Sequence, residues 1–192
     1  MNAAVNAAVV SSRAGRFAPV LRQVGPVRAA ATLALLAGTV ALLAHDRAVR
    51  HAEACASAFL VRRTWGPEAR CLADNTLYRV DGVLAGHTVT IGCSAVVLLV
   101  PFVLVAGLLL PVRRMSAVVT LGSLGIAAVV VAAVNQLRLL TIATGIHLWG
   151  LERGYGATHV LAGSIVSTVG IVLGGLTFLV LLTRGAQVVR RG

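Results

Sequence analysis

The sequence predicts an all-α fold: a polytopic transmembrane helix bundle of about four spans plus a short interfacial or re-entrant segment. Three observations predict it. The 192 residues are 58% hydrophobic with a mean hydropathy of +0.90, too apolar for a water-soluble surface to cover. Only 12% are charged, against about 25% in a soluble domain. Several apolar runs reach the roughly 18 residues of a helical crossing. Lipid offers the backbone no hydrogen-bond partners, so such runs must be helices or barrel strands. Barrel strands alternate apolar and polar residues; these runs do not.

The elements follow in order. Residues 1–28 form a basic N-terminal segment, and a single transmembrane domain covers residues 29–183. Its first span, residues 29–44, is short but nearly pure Ala, Leu and Val. A signal peptide is the other reading of residues 1–44, but His45, Asp46 and Arg47 make a poor cleavage site. An outer loop, residues 46–91, leads to the second span at 92–110, where Pro101 predicts a kink. The third span covers 116–134 and the fourth 160–182. The apolar stretch 139–149 is too short to cross alone. It reads as a re-entrant, interfacial or helix-extension element. In the fourth span, Gly163, Ser167, Gly170 and Gly174 are spaced for close helix contact. Residues 184–192 form a basic tail.

All 17 basic residues are Arg, and the net charge is +11. The arginines flank apolar segments and few aromatics interleave with them, so a nucleic-acid partner is not expected. With four spans, one side carries nine Arg and no acid, including the Arg113-Arg114 turn; the other carries eight Arg and all six acids. Short positive loops stay in the cytoplasm. Both termini are therefore expected inside, in a multi-pass plasma-membrane protein. A transporter is disfavoured, because there is no inverted repeat and no acid within a span.

Three cysteines remain. Cys55 and Cys71 share the outer loop with fifteen residues between them, a loop that a disulfide stabilises by about 3 kcal/mol in the chain-entropy model. The alternative is two unpaired small hydrophobes on an amphipathic helix. Cys93, at the outer mouth of the second span, reads either as a packing residue or as a reactive thiol. Arg138 lies between apolar residues just past the third span. It either snorkels to the headgroups or faces a wet interior. His159 begins the fourth span, with His147 and His87 competing for any role on the same side. Cys93, Arg138 and His159 thus stand at the outer ends of three spans. A cation or base beside a thiol favours thiolate, a fixed donor stabilises an oxyanion, and an imidazole shuttles the proton.

Several segments carry a family likeness. They are Leu77-Tyr78-Arg79-Val80-Asp81-Gly82, Val89-Thr90-Ile91-Gly92-Cys93-Ser94, Asn135-Gln136-Leu137-Arg138-Leu139, and His159 before a Gly- and Ser-bearing helix. Over about residues 75–182 the chain resembles the exosortase/archaeosortase family of membrane cysteine transpeptidases. Ala95 stands where that pattern leads one to expect Gly, and the chain has fewer spans than typical members. The resemblance implies Cys93 as nucleophile, Arg138 stabilising thiolate or oxyanion, His159 as base and Asn135 shaping the Arg turn. It implies substrates that are exported proteins with a C-terminal signature, a transmembrane helix and a basic cluster. These would be cut at the outer face and passed to a surface acceptor such as a lipid or glycan. No metal or cofactor is expected. The alternative is a non-catalytic membrane scaffold or assembly factor, a degenerate member that keeps the fold.

Overall fold

The computed structural model describes residues 25–112 and 116–191. The N-terminal basic segment up to residue 24, the Arg113-Arg114 turn and the side chains of Arg190 and Arg191 lie outside the described residues. Of the described residues, 78% are helical.

Helix α1 (Pro26–Ala44) starts with Pro at its first position, where the missing N–H costs nothing. None of its residues is buried. It touches α3 where Leu36 meets Gly107, and the Arg28 guanidinium donates to the Val112 carbonyl at 2.7 Å. That bond places the start of α1 beside the turn that follows α3. Helix α2 (Asp46–Thr64) is polar and amphipathic. Its inward face is Glu53, Ala54, Ser57, Ala58 and Val61.

The outer loop holds more than a helix. Strands β1 (Arg70–Leu72), β2 (Asn75–Val80) and β3 (Val83–Thr88) form an antiparallel sheet in that order. Val80 pairs with Val83 across Asp81 and Gly82, which both have positive φ. This is the Asp-Gly hairpin geometry whose backbone twist suits the flanking strands. Tyr78 is buried with Val61, Val80, Ile142 and Ile146, joining sheet, α2 and the bundle in one core. The Cys55–Cys71 disulfide fastens α2 to β1.

A short 3₁₀ turn (Ile91–Cys93) leads into α3 (Ala95–Leu109), capped by Ser94, whose hydroxyl accepts from the Val96 N–H. Helix α4 (Ala117–Trp149) is capped by Ser116 and stopped by Gly150 at φ 77°. It runs through both the third predicted span and the 139–149 stretch. That stretch is therefore a helix extension and not a separate re-entrant element: no Gly or Pro in Asn135-Gln136-Leu137-Arg138 breaks the helix. A short helix α5 (Leu151–Gly156) and a π-helical turn (Ala157–Ala162) lead into α6 (Gly163–Arg191).

Among the described residues, three helical stretches are long and apolar enough to cross a membrane: 26–44, 117–149 and 151–185. Helix α3 has 15 residues and rises about 22 Å, short of a hydrocarbon core of about 30 Å. The outward faces of the long helices carry Leu33, Val118, Val129, Ile165 and Leu176, a surface suited to lipid chains. Inside the bundle, a side chain at Gly170 would meet Val134, one at Gly174 would meet Val131 and Phe102, and one at Gly185 would meet Val119. Small residues thus let α6 lie close along α4.

Candidate active site

Cys93 comes from the 3₁₀ turn just before α3. It is 3% exposed and packs with Ala54, Val89 and Leu139, partly buried Cys71 flanking the cluster. Its sulfur lies 3.4 Å from His159 Nε2, within reach for thiol-to-imidazole proton transfer. His159 sits on the π-helical turn, where the wider backbone spacing interrupts the helical register. Its ring stacks on Tyr155, centroids 4.7 Å apart and planes 18° from parallel. The stack fixes the ring plane and leaves Nε2 for the thiol.

Arg138 is 7% exposed in the middle of α4. Its Nη1 donates to the Gly92 carbonyl at 3.5 Å, next to Cys93, while its Nε has no partner. Gly163 makes the space: a β-carbon there would lie 3.0 Å from Arg138 Nε. The guanidinium is therefore turned inward beside the thiol and does not reach for the headgroups. A buried cation with an unspent N–H favours negative charge in its neighbourhood.

The three residues at separate span ends thus meet at one end of the bundle. Asn135, 2% exposed, has its Nδ2 3.5 Å from Glu53 Oε1, away from the Gly92 carbonyl that Arg138 bonds. It belongs to a neighbouring polar cluster built on α2. The competing histidines have other partners. His147 stacks on Trp65, with centroids 4.2 Å apart. His87 lies 3.5 Å from the Tyr78 hydroxyl, and burial, with the nearby His159 charge, pushes its pKa down to about 4.

No family model, curated protein or solved structure matches this chain. The chemistry is therefore read from the residues alone.

Sequence reasoning missed Glu53, counting it only as an outer acid. Its carboxylate is 9% exposed and accepts the Ala95 N–H at 2.8 Å, at the first turn of α3. The signal was present in α2. Glu53, Ala54, Ser57, Ala58 and Val61 fall at helical spacing on one face, so an acid stands in an otherwise small and apolar stripe.

Two clefts lie near. One of about 400 Å³ runs between β3 and α5, bordered by His87, Thr88 and Tyr155, the residue on which His159 stacks. The larger, about 710 Å³, is lined by Asp81, His147, Trp149 and Arg153 and includes none of Cys93, Arg138 and His159. The smaller cleft also includes none of the three and reaches the site only through Tyr155. Among the described residues, a metal has one candidate position, where His51 converges with Cys55 and Cys71. Both sulfurs there are spent in the disulfide, which leaves no thiolate to bind a cation.

Proposed function

We propose that this protein is a membrane cysteine transpeptidase of exosortase type, with Cys93 as nucleophile, His159 as base and Arg138 as oxyanion donor. The observation that carries this reading is the 3.4 Å approach of Cys93 and His159, residues 66 apart in sequence, beside a buried Arg138 with an unspent N–H. His159 Nε2 takes the Cys93 proton, and the thiolate attacks a peptide carbonyl carbon. The negative oxygen faces the guanidinium. The C–N bond breaks, the amine leaves with the proton from His159, and a thioester remains on Cys93. A nucleophile of the acceptor then displaces the sulfur, with His159 receiving its proton.

The wider topology belongs to this proposal. Helix α3, extended by its preceding turn and Leu110, serves as a fourth crossing. Both termini are cytoplasmic, which sets the site and the α2–sheet cap on the outer face of the plasma membrane. The contacts of Arg28 with Val112 and of Val119 with Gly185 support gathering the start of α1 with the end of α3, and the start of α4 with the later part of α6. The substrates are exported proteins with a C-terminal signature, a membrane helix and a basic cluster, and the acceptor is a surface lipid or glycan.

The test is co-expression with such a tailed exported protein. Cys93→Ala should abolish processing at unchanged protein level; continued processing would end the enzyme reading. A scaffold is the second reading, favoured by the near-complete burial of Cys93. It predicts that function survives Cys93→Ala and fails when the cap, residues 46–90, is altered.

A further inference from the structure

The polar cluster beside Cys93 has an uneven hydrogen inventory. Glu53 Oε1 accepts from the Ala95 N–H at 2.8 Å and faces Asn135 Nδ2 at 3.5 Å. Glu53 Oε2 has no partner. Three further buried oxygens also lack one: Ser57 Oγ, Asn135 Oδ1 and Gln136 Oε1. Ser57 lies one turn along α2 from Glu53, and Gln136 Nε2 donates to the Glu53 backbone carbonyl at 3.4 Å. An ionised carboxylate adds a fourth unmet acceptor to this group. The Ser57 and Ser94 hydroxyls can each donate, but the Asn135 and Gln136 amide oxygens and an ionised Glu53 Oε2 only accept, so a carboxylic acid adds a donor where unmet acceptors outnumber donors.

Electrostatics point the same way. Burial is the largest influence on Glu53 and raises its pKa above the usual carboxylate range. The Ala95 N–H, Ser94, Asn135 and the Arg50 charge pull in the opposite direction without cancelling it. Arg50 is largely committed elsewhere, bonded to Asp46 and Asp74. The other charged or titratable groups around the junction are Arg138 from α4, His159 from the π-helical turn, His87 from β3 and Cys93 itself.

We propose that Glu53 holds a proton in the folded protein and is a positioning residue for Cys93. As a neutral acid it ties the start of α3 to α4; when it ionises, its charge suppresses the Cys93 thiolate. The inference rests on the reading of Cys93 as nucleophile. The bond to Ala95 lies two residues from Cys93. A second negative charge that close disfavours thiolate, as paired carboxylates disfavour joint ionisation. The helix N-terminus that would favour thiolate is the same one Glu53 occupies. Thiol reactivity at this face is thereby coupled to one buried proton.

Two measurements on the full-length protein in detergent test it. Infrared difference spectra across pH should show the C=O band of a protonated buried carboxyl near neutral pH, absent in Glu53→Gln. Glu53→Gln keeps an acceptor for the Ala95 N–H and cannot ionise. Alkylation of Cys93, the single free thiol, with iodoacetamide should run at equal rates in wild type and Glu53→Gln at acid pH. It should run about tenfold faster in Glu53→Gln once Glu53 has ionised. Should Glu53→Gln not fold, Ser94→Ala, which removes a hydrogen bond to the carboxylate form, must move the loss of the band to higher pH. No protonated band beside a reactive thiol, or equal alkylation rates at every pH, overturns the inference. A titrating band with an inert thiol in both proteins overturns the coupling and, separately, the reading of Cys93 as nucleophile.

Discussion

Along α4, the residues from Thr120 to Val134 and those from Asn135 to Ile146 belong to one helix and have different neighbours. The first stretch lies against α3 and α6, where Val131 and Val134 fill the space left by Gly174 and Gly170, and Ala127 and Phe178 complete an apolar core. The second faces α2, the sheet and the 3₁₀ turn, and buries Asn135 and Arg138 among groups that need hydrogen bonds. The lower stretch gains from close contact, since lipid supplies no hydrophobic drive to bring helices together. The upper stretch must satisfy polar groups or leave them costly. The proposed reactivity lies where packing alone does not settle the arrangement.

Substitutions that separate the two stretches sharpen this contrast. The largest effect is expected from Arg138→Ala, which removes the guanidinium bonded to the Gly92 carbonyl next to Cys93. Substrate processing should fall at least about 100-fold, while the far-ultraviolet circular dichroism stays that of a folded bundle; unchanged processing would detach Arg138 from the chemistry. Gly174→Leu overpacks the lower stretch against Val131 and Phe102 and should cost about 3 kcal/mol, read as an earlier midpoint in SDS unfolding. The same stretch is insensitive to reductant. The cap is not: loss of the Cys55–Cys71 bond should cost about 3 kcal/mol, and hydrogen exchange should rise in α2 and β1 while α4 and α6 stay protected.

Acid separates the stretches more gently. His87 is buried neutral, with its pKa lowered to about 4 from 6.5. Between those values the unfolded chain binds more protons than the folded one, so stability is lost as pH falls from about 6.5 toward 4. The loss should reach a few kcal/mol, on the order of 1.4 for each unit of depression. Melting of the cap across this range measures it, and His87→Gln should flatten that part of the profile. The smallest effect is Ser116→Ala, which removes the cap of α4 at the far end for about 1 kcal/mol and should leave Cys93 alkylation unchanged.

Much of this contrast was legible in the residues. The apolar runs mark α1, α4 and α6, and the positions of Cys93, Arg138 and His159 at span ends place them at one end of the bundle. The continuity of α4 was not legible to hydropathy, because Asn135, Gln136 and Arg138 interrupt the apolar run without interrupting the helix. The sheet escaped because its strands are three to six residues long, although Asp81-Gly82 between two apolar runs is a hairpin signal. Glu53 escaped because its importance lies in contacts 42 and 82 positions away. The choice among His87, His147 and His159 needed the fold, which gives the first two to Tyr78 and Trp65.

The 33 residues of α4 span about 50 Å, some 20 Å more than the hydrocarbon. Arg138 lies 21 residues beyond Ala117, about 32 Å up the axis. With its lower end at one lipid boundary, α4 therefore carries the guanidinium to the level of the other. It acts as a gauge rod: the position of the guanidinium along the bundle is set by a count of residues. For a transpeptidase of the proposed kind, a polypeptide anchored by its own membrane helix would present to this site only the few residues just above that helix, whatever their side chains. Under that proposal, selection by altitude comes before selection by sequence.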